Sequence, residues 1–155
     1  MEHLSDQGVE FVLIGGVAAA ALGSPSSTVD LDICYRRTKK NLKLLASALE
    51  GMGARLRGVD ENDAPFQLHP KTLEAGDHFT LTTRLGDLDL IGIPAGTSGY
   101  ADLVKQANEV DLGTLRVKVT SLEDLIRMKR AAGRPKDLIE LQNLKALENE
   151  LRTKD

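Results

Sequence analysis

The chain has 155 residues, 41% of them hydrophobic, and a net charge of −3 from 20 basic and 23 acidic side chains, which suits one ordinary domain with one packed core and argues against a protein that coats nucleic acid non-specifically. A single cysteine, Cys34, excludes an internal disulfide and a cysteine-rich zinc site, and three scattered histidines (His3, His69, His78) argue against a histidine-based one. No apolar run reaches the roughly 20 residues of a membrane helix, and the acidic start Met1-Glu2-His3-Leu4-Ser5-Asp6 lacks the basic opening of a secretory signal, so a cytoplasmic protein without a membrane contact is expected.

In chain order, Val9 to Ile14 is a short apolar run stopped by Gly15-Gly16, the pattern of a buried strand. Val17 to Leu22 is Ala-rich and helical, with Gly23 past its end. Ser24-Pro25-Ser26-Ser27 is a loop. Val29 to Tyr35 alternates as a strand does, with Asp30 and Asp32 on one face and Val29, Leu31 and Ile33 on the other. Leu42, Leu45, Ala46 and Leu49 recur at helical spacing between Thr38 and Met52. The stretch from Val59 to Ala75 has no period and is expected to be a long loop. His78 to Leu85 and Leu88 to Ile93 form paired strands around Gly86-Asp87. Tyr100 to Ala107 is a short helix, and Val110 to Leu112 and Leu115 to Val119 flank Gly113-Thr114 as a hairpin. Ser121 caps a helix ending near Gly133. Pro135 starts another, which carries Leu138, Leu141, Leu144, Leu147 and Leu151 as its apolar stripe.

The acidic strand is the informative feature. Asp is a poor strand former, and two carboxylates side by side repel unless a positive charge lies between them. A hard divalent cation such as Mg²⁺ takes oxygen ligands and keeps waters and substrate phosphates as the rest of its shell. A solvated edge strand is the plain alternative for Asp30-Leu31-Asp32 alone, as a tight turn is for Gly15-Gly16 alone. Together they say more, because a glycine turn opening a helix lets backbone N–H groups approach a phosphate. A dinucleotide-binding fingerprint is disfavoured: Gly15-Gly16-Val17-Ala18-Ala19 lacks the glycines that G-x-G-x-x-G requires.

Gly15-Gly16, thirteen intervening residues and Asp30-x-Asp32 resemble the signature of the polymerase-beta-like nucleotidyltransferase superfamily. The likeness is to small bacterial members related to AbiEii-type toxins, which often carry Thr two residues before the first Asp, as Thr28 stands here. It runs from about Phe11 to Leu144, most of the chain. It implies an α/β (α+β) nucleotidyltransferase fold, a mixed sheet flanked by helices with further helices at the C-terminus, built as one domain over 1–155. It also implies a third carboxylate on a later hydrophobic strand. Leu88-Asp89-Leu90-Ile91 fits, with Asp87 as the fallback, and the segment from Leu125 to Leu138 resembles the Lys-containing helix and Arg-x-x-Asp element of those relatives. The chain departs from the pattern in having Gly16 where Ser is common, and no basic residue in the loop before the acidic strand.

The implied chemistry is transfer of a nucleoside monophosphate from an NTP to RNA, tRNA or protein, and the resemblance also implies a role as the toxin of a toxin–antitoxin pair with an antitoxin protein as partner. Asp30, Asp32 and Asp89 would hold Mg²⁺ or Mn²⁺, and Asp89 would also accept the acceptor's proton. Gly15, Gly16 and Thr28 would face phosphate oxygens, while Lys129 and Arg134 would neutralise them; a solvated helix face is the plain alternative for Lys129. Asp137 would pair locally with Arg134 or Lys136. Arg36, Arg37, Lys39 and Lys40 are expected either as a solvated helix start or as a guide for a polyanionic acceptor. A non-catalytic nucleotide- or partner-binding module on the same fold is the competing class.

Overall fold

The structure is a computed structural model describing residues 1–60 and 67–154. A seven-stranded sheet in the order β3-β4-β5-β2-β1-β7-β6 organises it. The elements are α1 (Glu2–Asp6), β1 (Phe11–Ile14), α2 (Gly15–Ala21), β2 (Leu31–Tyr35), α3 (Lys39–Gly51), β3 (Arg55–Leu56) and α4 (Pro70–Ala75). They continue with β4 (His78–Thr83), β5 (Gly86–Ile91), α5 (Tyr100–Leu103), β6 (Asn108–Asp111), β7 (Arg116–Val119), α6 (Leu122–Ala132) and α7 (Pro135–Lys154). The sheet is mixed: β2 runs antiparallel to β1 and parallel to β5, while β1 runs parallel to β7.

The unbroken apolar run of β1 is explained by its place between β2 and β7, where all four residues are buried. In β4 and β5 burial alternates instead: Phe79, Leu81, Leu88 and Leu90 face the core, while Thr80, Asp87 and Asp89 face the other way. Tyr35 ties β2 to α4 by donating its hydroxyl hydrogen to the Leu73 carbonyl at 2.7 Å. Buried Asn41 braces the chain entering β1 against the exit of β2, accepting from the Glu10 N–H at 2.8 Å and donating to the Glu10 and Arg36 carbonyls. Ser121 caps α6 as expected, accepting from the Asp124 N–H, and Gly133 ends that helix in the left-handed conformation, while Thr38 Oγ1 caps α3 by accepting from the Asn41 N–H.

Several expectations shift. Helix α2 begins at Gly15 itself, so the two glycines are its first turn and not a loop before it. Strand β2 begins at Leu31, one residue after Asp30, and Val29 is 94% exposed, so it is no part of a buried face. Within the expected long loop, Pro70–Ala75 is helical; that loop's residues 61–66 lie outside the described set. The turn between β4 and β5 is Arg84-Leu85, with Gly86 already paired to Thr83. On α7, Leu144 is buried but Leu138 and Leu151 are exposed, so the apolar stripe is shorter than its leucines suggest.

Candidate active site

Sheet register gathers the acidic residues. Because β1 and β2 are antiparallel, Ile14 lies opposite Asp32, and the Gly15-Gly16 turn therefore meets the start of β2. Because β2 and β5 are parallel, Asp32 lies beside Asp89 in register. Neighbouring strands are about 4.8 Å apart, and paired residues point to the same face, so the two carboxylates stand side by side. Asp30 closes the group from just before the strand.

The glycines fit this crowding. A Cβ on Gly15 would lie 2.1 Å from Asp32 Oδ2, and Gly15 also has a φ of +71°. A Cβ on Gly16 would lie 2.6 Å from Thr28 Cγ2. Any side chain at either position would push into the acidic group or the loop that leads to it. Thr28 packs on Gly16 and accepts a hydrogen bond from the Asp30 N–H at 3.3 Å, which shapes the entry to β2.

The electrostatics are lopsided. Burial pushes the Asp32 carboxyl up to about 6, and the neighbouring charges of Asp89 and Asp30 add to the rise. Lys129 and His78 pull it back in part. Asp89, by contrast, has a counter-charge: Arg57 Nη2 donates to its Oδ1 at 3.0 Å, and His78 Nε2 lies 4.0 Å from its Oδ2. Asp87, on the same face, accepts from Thr82 Oγ1 at 3.0 Å and has Arg57 Nε at 3.4 Å from its Oδ2.

Lys129 and Arg134 are held behind this group. Lys129 Nζ contacts Asp137 Oδ1 at 3.2 Å and also Glu140. Arg134 Nε donates to Asp137 Oδ2 at 2.7 Å, so Asp137 pairs with Arg134 as expected and takes Lys129 in addition. Asp137 is fully buried. Burial pushes its carboxyl up, but hydrogen bonds from Arg134 and Lys129 outweigh that and hold it at about 2. The charges of both bases reach Asp32. The structure therefore brings together Gly15, Gly16, Thr28, Asp30, Asp32 and Asp89, with Lys129 and Arg134 as nearby positive charge already bound to Asp137.

The basic run after β2 is elsewhere. Arg36 pairs with Glu10 at 2.8 Å and lies over the Tyr100 ring, and Arg37 donates to the Glu74 and Gly76 carbonyls. Both leave the opposite end of β2 from Asp30. These arginines brace the fold and do not line the acidic site.

Among the described residues, no three His, Cys, Asp or Glu side chains form a ready-made metal cage. The donor set is still that of a hard cation. Its ligands would be carboxylate oxygens only, and Mg²⁺ is commonly held by one or two carboxylates, with water and phosphate completing the shell. Asp32 is raised first by burial and then by the like charges of Asp89 and Asp30, a combination that a bound cation would relieve.

Arg57 and His78 are the site residues that sequence reasoning missed. His78 carried a signal, since it lies on the strand next to Asp89. Arg57 carried none: it follows the two-residue strand β3, which has no period, and its position depends on the pairing of β3 with Leu81 and Thr82.

No family model and no curated protein sequence matches the chain. Solved structures do. The lincosamide antibiotic adenylyltransferase LnuA, in its lincomycin-bound form, superposes with a TM-score of 0.61 at 15% identity, over 94% of this chain and 92% of that one. The antibiotic-resistance factor ANT(2'')-Ia, in complex with adenylyl-2''-tobramycin, gives 0.54 at 15% identity, over 99% and 92%. A nucleotidyltransferase candidate from Thermotoga maritima gives 0.52 at 16%, over 96% and 88%. This chain has the nucleotidyltransferase fold. The expected mixed α/β sheet with flanking helices is the one observed.

Proposed function

We propose that the chain, as one domain over 1–155, is a divalent-cation-dependent nucleotidyltransferase that moves a nucleoside monophosphate from an NTP to an acceptor and releases pyrophosphate. The observation that carries this is Asp32 beside Asp89 in register, with Gly15 backbone pressed against Asp32. The fold shared with adenylyltransferases that act on antibiotics supports it.

Asp30 and Asp32, with Asp89 beside them, would hold Mg²⁺ or Mn²⁺. Bound there, the cation would neutralise triphosphate charge and polarise the reacting phosphorus centre. The N–H groups of Gly15 and Gly16 and the Thr28 hydroxyl would meet phosphate oxygens. Lys129 and Arg134, braced by Asp137, would add positive charge from behind. Asp89 would accept the acceptor's proton.

Two acceptor classes follow. The resemblance to AbiEii-type toxins points to RNA, tRNA or protein, with an antitoxin as partner and the cytoplasm as the place of action. A small hydroxylated molecule is the second, and two observations favour it: Arg36 and Arg37 are tied down away from the site, and the neighbours matched over nearly their whole length act on antibiotics.

The test is incubation of the purified protein with each α-labelled NTP, Mg²⁺ and a cell extract. A labelled RNA or protein band supports the first acceptor class, and a labelled small product supports the second. If no pyrophosphate is released with any NTP and Mg²⁺ does not raise NTP affinity, the chain is a non-catalytic binding module on this fold.

A further inference from the structure

Arg57 leaves the chain one residue past β3, where its own N–H donates to the Thr80 carbonyl. Its side chain crosses β4 toward β5. Nη2 donates to the Leu81 carbonyl and to Asp89 Oδ1, both at 3.0 Å. Nε is buried and has no hydrogen-bond partner among the described residues, although Asp87 Oδ2 lies 3.4 Å away. Asp87 is fixed in turn by Thr82 Oγ1.

This chain of contacts gives the two carboxylates of β5 different work. Asp87 braces the arginine, and the arginine holds one oxygen of Asp89. Among the described residues, the other oxygen, Oδ2, has His78 Nε2 at 4.0 Å, beyond hydrogen-bond range. A planar guanidinium anchored at two points fixes a carboxylate plane in a way a lysine ammonium cannot.

We propose that Arg57 is a positioning residue for Asp89, taking Oδ1 so that Oδ2 is the oxygen presented to the reaction, with Asp87 as its brace. This rests on the metal-dependent transfer proposed above. The arrangement has a cost with a measurable sign. A fixed positive charge on Asp89 repels a divalent cation held by that carboxylate, so the residue that aligns the carboxylate also weakens cation binding. Loss of the arginine would therefore tighten the cation and slow the reaction, whereas a residue that merely holds the sheet together would weaken both.

The experiment is equilibrium Mn²⁺ binding, followed by paramagnetic resonance, on the wild type, Arg57→Gln, Arg57→Lys and Asp32→Asn, alongside steady-state kinetics. In Arg57→Gln, which keeps a donor for the Leu81 carbonyl, Mn²⁺ should bind roughly 3- to 10-fold tighter. Its kcat should fall about 100-fold with nucleotide KM changed less than about 3-fold. Arg57→Lys should restore the weaker Mn²⁺ binding but only part of kcat. Weaker or unchanged Mn²⁺ binding in Arg57→Gln, or full recovery of kcat in Arg57→Lys, overturns the proposal while leaving the nucleotidyltransferase assignment standing. A wild type that binds Mn²⁺ no better than Asp32→Asn overturns both. Should Arg57→Gln fail to fold, Asp87→Asn removes the brace instead; a kcat loss under about 2-fold there counts against the proposal.

Discussion

Two charged clusters lie within electrostatic reach of each other and are built on opposite plans. Between α6 and α7, Asp137 is fully buried and satisfied by Lys129 and Arg134, so its carboxyl falls to about 2. Where Asp30, Asp32 and Asp89 gather, burial and the two neighbouring like charges raise Asp32 to about 6. The first cluster is complete as it stands and holds two helices together. In the proposed reading the second takes up a divalent cation. The two aspartates are displaced in opposite directions because one is paired with bases inside the fold and the other is buried facing like charges.

The strongest way to break that contrast is to remove the carboxylates one at a time. Asp30→Ala, Asp32→Ala and Asp89→Ala should each lower nucleotide transfer by roughly 1000-fold or more with the fold intact, as read by pyrophosphate release and circular dichroism. Near-normal turnover in any one would remove that residue from the site. Asp32→Asn should at the same time raise the thermal midpoint at pH 8 without metal, because an uncompensated charge is lost. The sign follows from linkage: the folded state holds the Asp32 proton more tightly than the unfolded chain, so stability falls as pH rises from about 4 to about 6. After allowance for solvent screening the effect is about 1–2 kcal/mol.

Asp137→Ala should act the other way. It leaves Lys129 without its buried partner and should cost about 3–5 kcal/mol of stability in denaturant unfolding. Since the folded carboxyl lies near 2, its contribution is present above about pH 4 and is lost as pH falls toward 2. Unchanged stability would mean that the α6–α7 cluster is not the structural one.

Gly15→Ala tests the close approach between helix and carboxylate. With φ at +71° and a clash on Asp32 Oδ2, it should cost about 1–3 kcal/mol and lower transfer about 100-fold. Asp87→Ala should be milder, about 3- to 10-fold in kcat. A loss as severe as that of Asp89→Ala would make Asp87 the third carboxylate.

The candidate site could be read in sequence where local rules apply. Gly15-Gly16 and Asp30-x-Asp32 are close in the chain and carry their spacing openly, and Asp89 sits in an alternating strand whose face can be read. Ser121, Gly133 and Pro135 marked their helices by cap chemistry. The rest depends on long-range pairing. Arg55–Leu56 is a strand only because Leu81 and Thr82 pair with it, so the arrival of Arg57 at Asp89 could not be read from its neighbours. Leu138 and Leu151 share the spacing of buried Leu144, yet nothing among the described residues covers them as fully. The basic run after β2 looked free because Glu10, Glu74 and Gly76, which engage its arginines, are distant in sequence.

Calorimetric titration of the wild type with a non-hydrolysable NTP analogue, with and without Mg²⁺, goes most directly to whether the strand-end carboxylates are a cation site. The account predicts affinity at least about 10-fold higher with Mg²⁺, and loss of that gain in Asp32→Asn. Equal affinity in the two conditions, or a gain that survives Asp32→Asn, would contradict it.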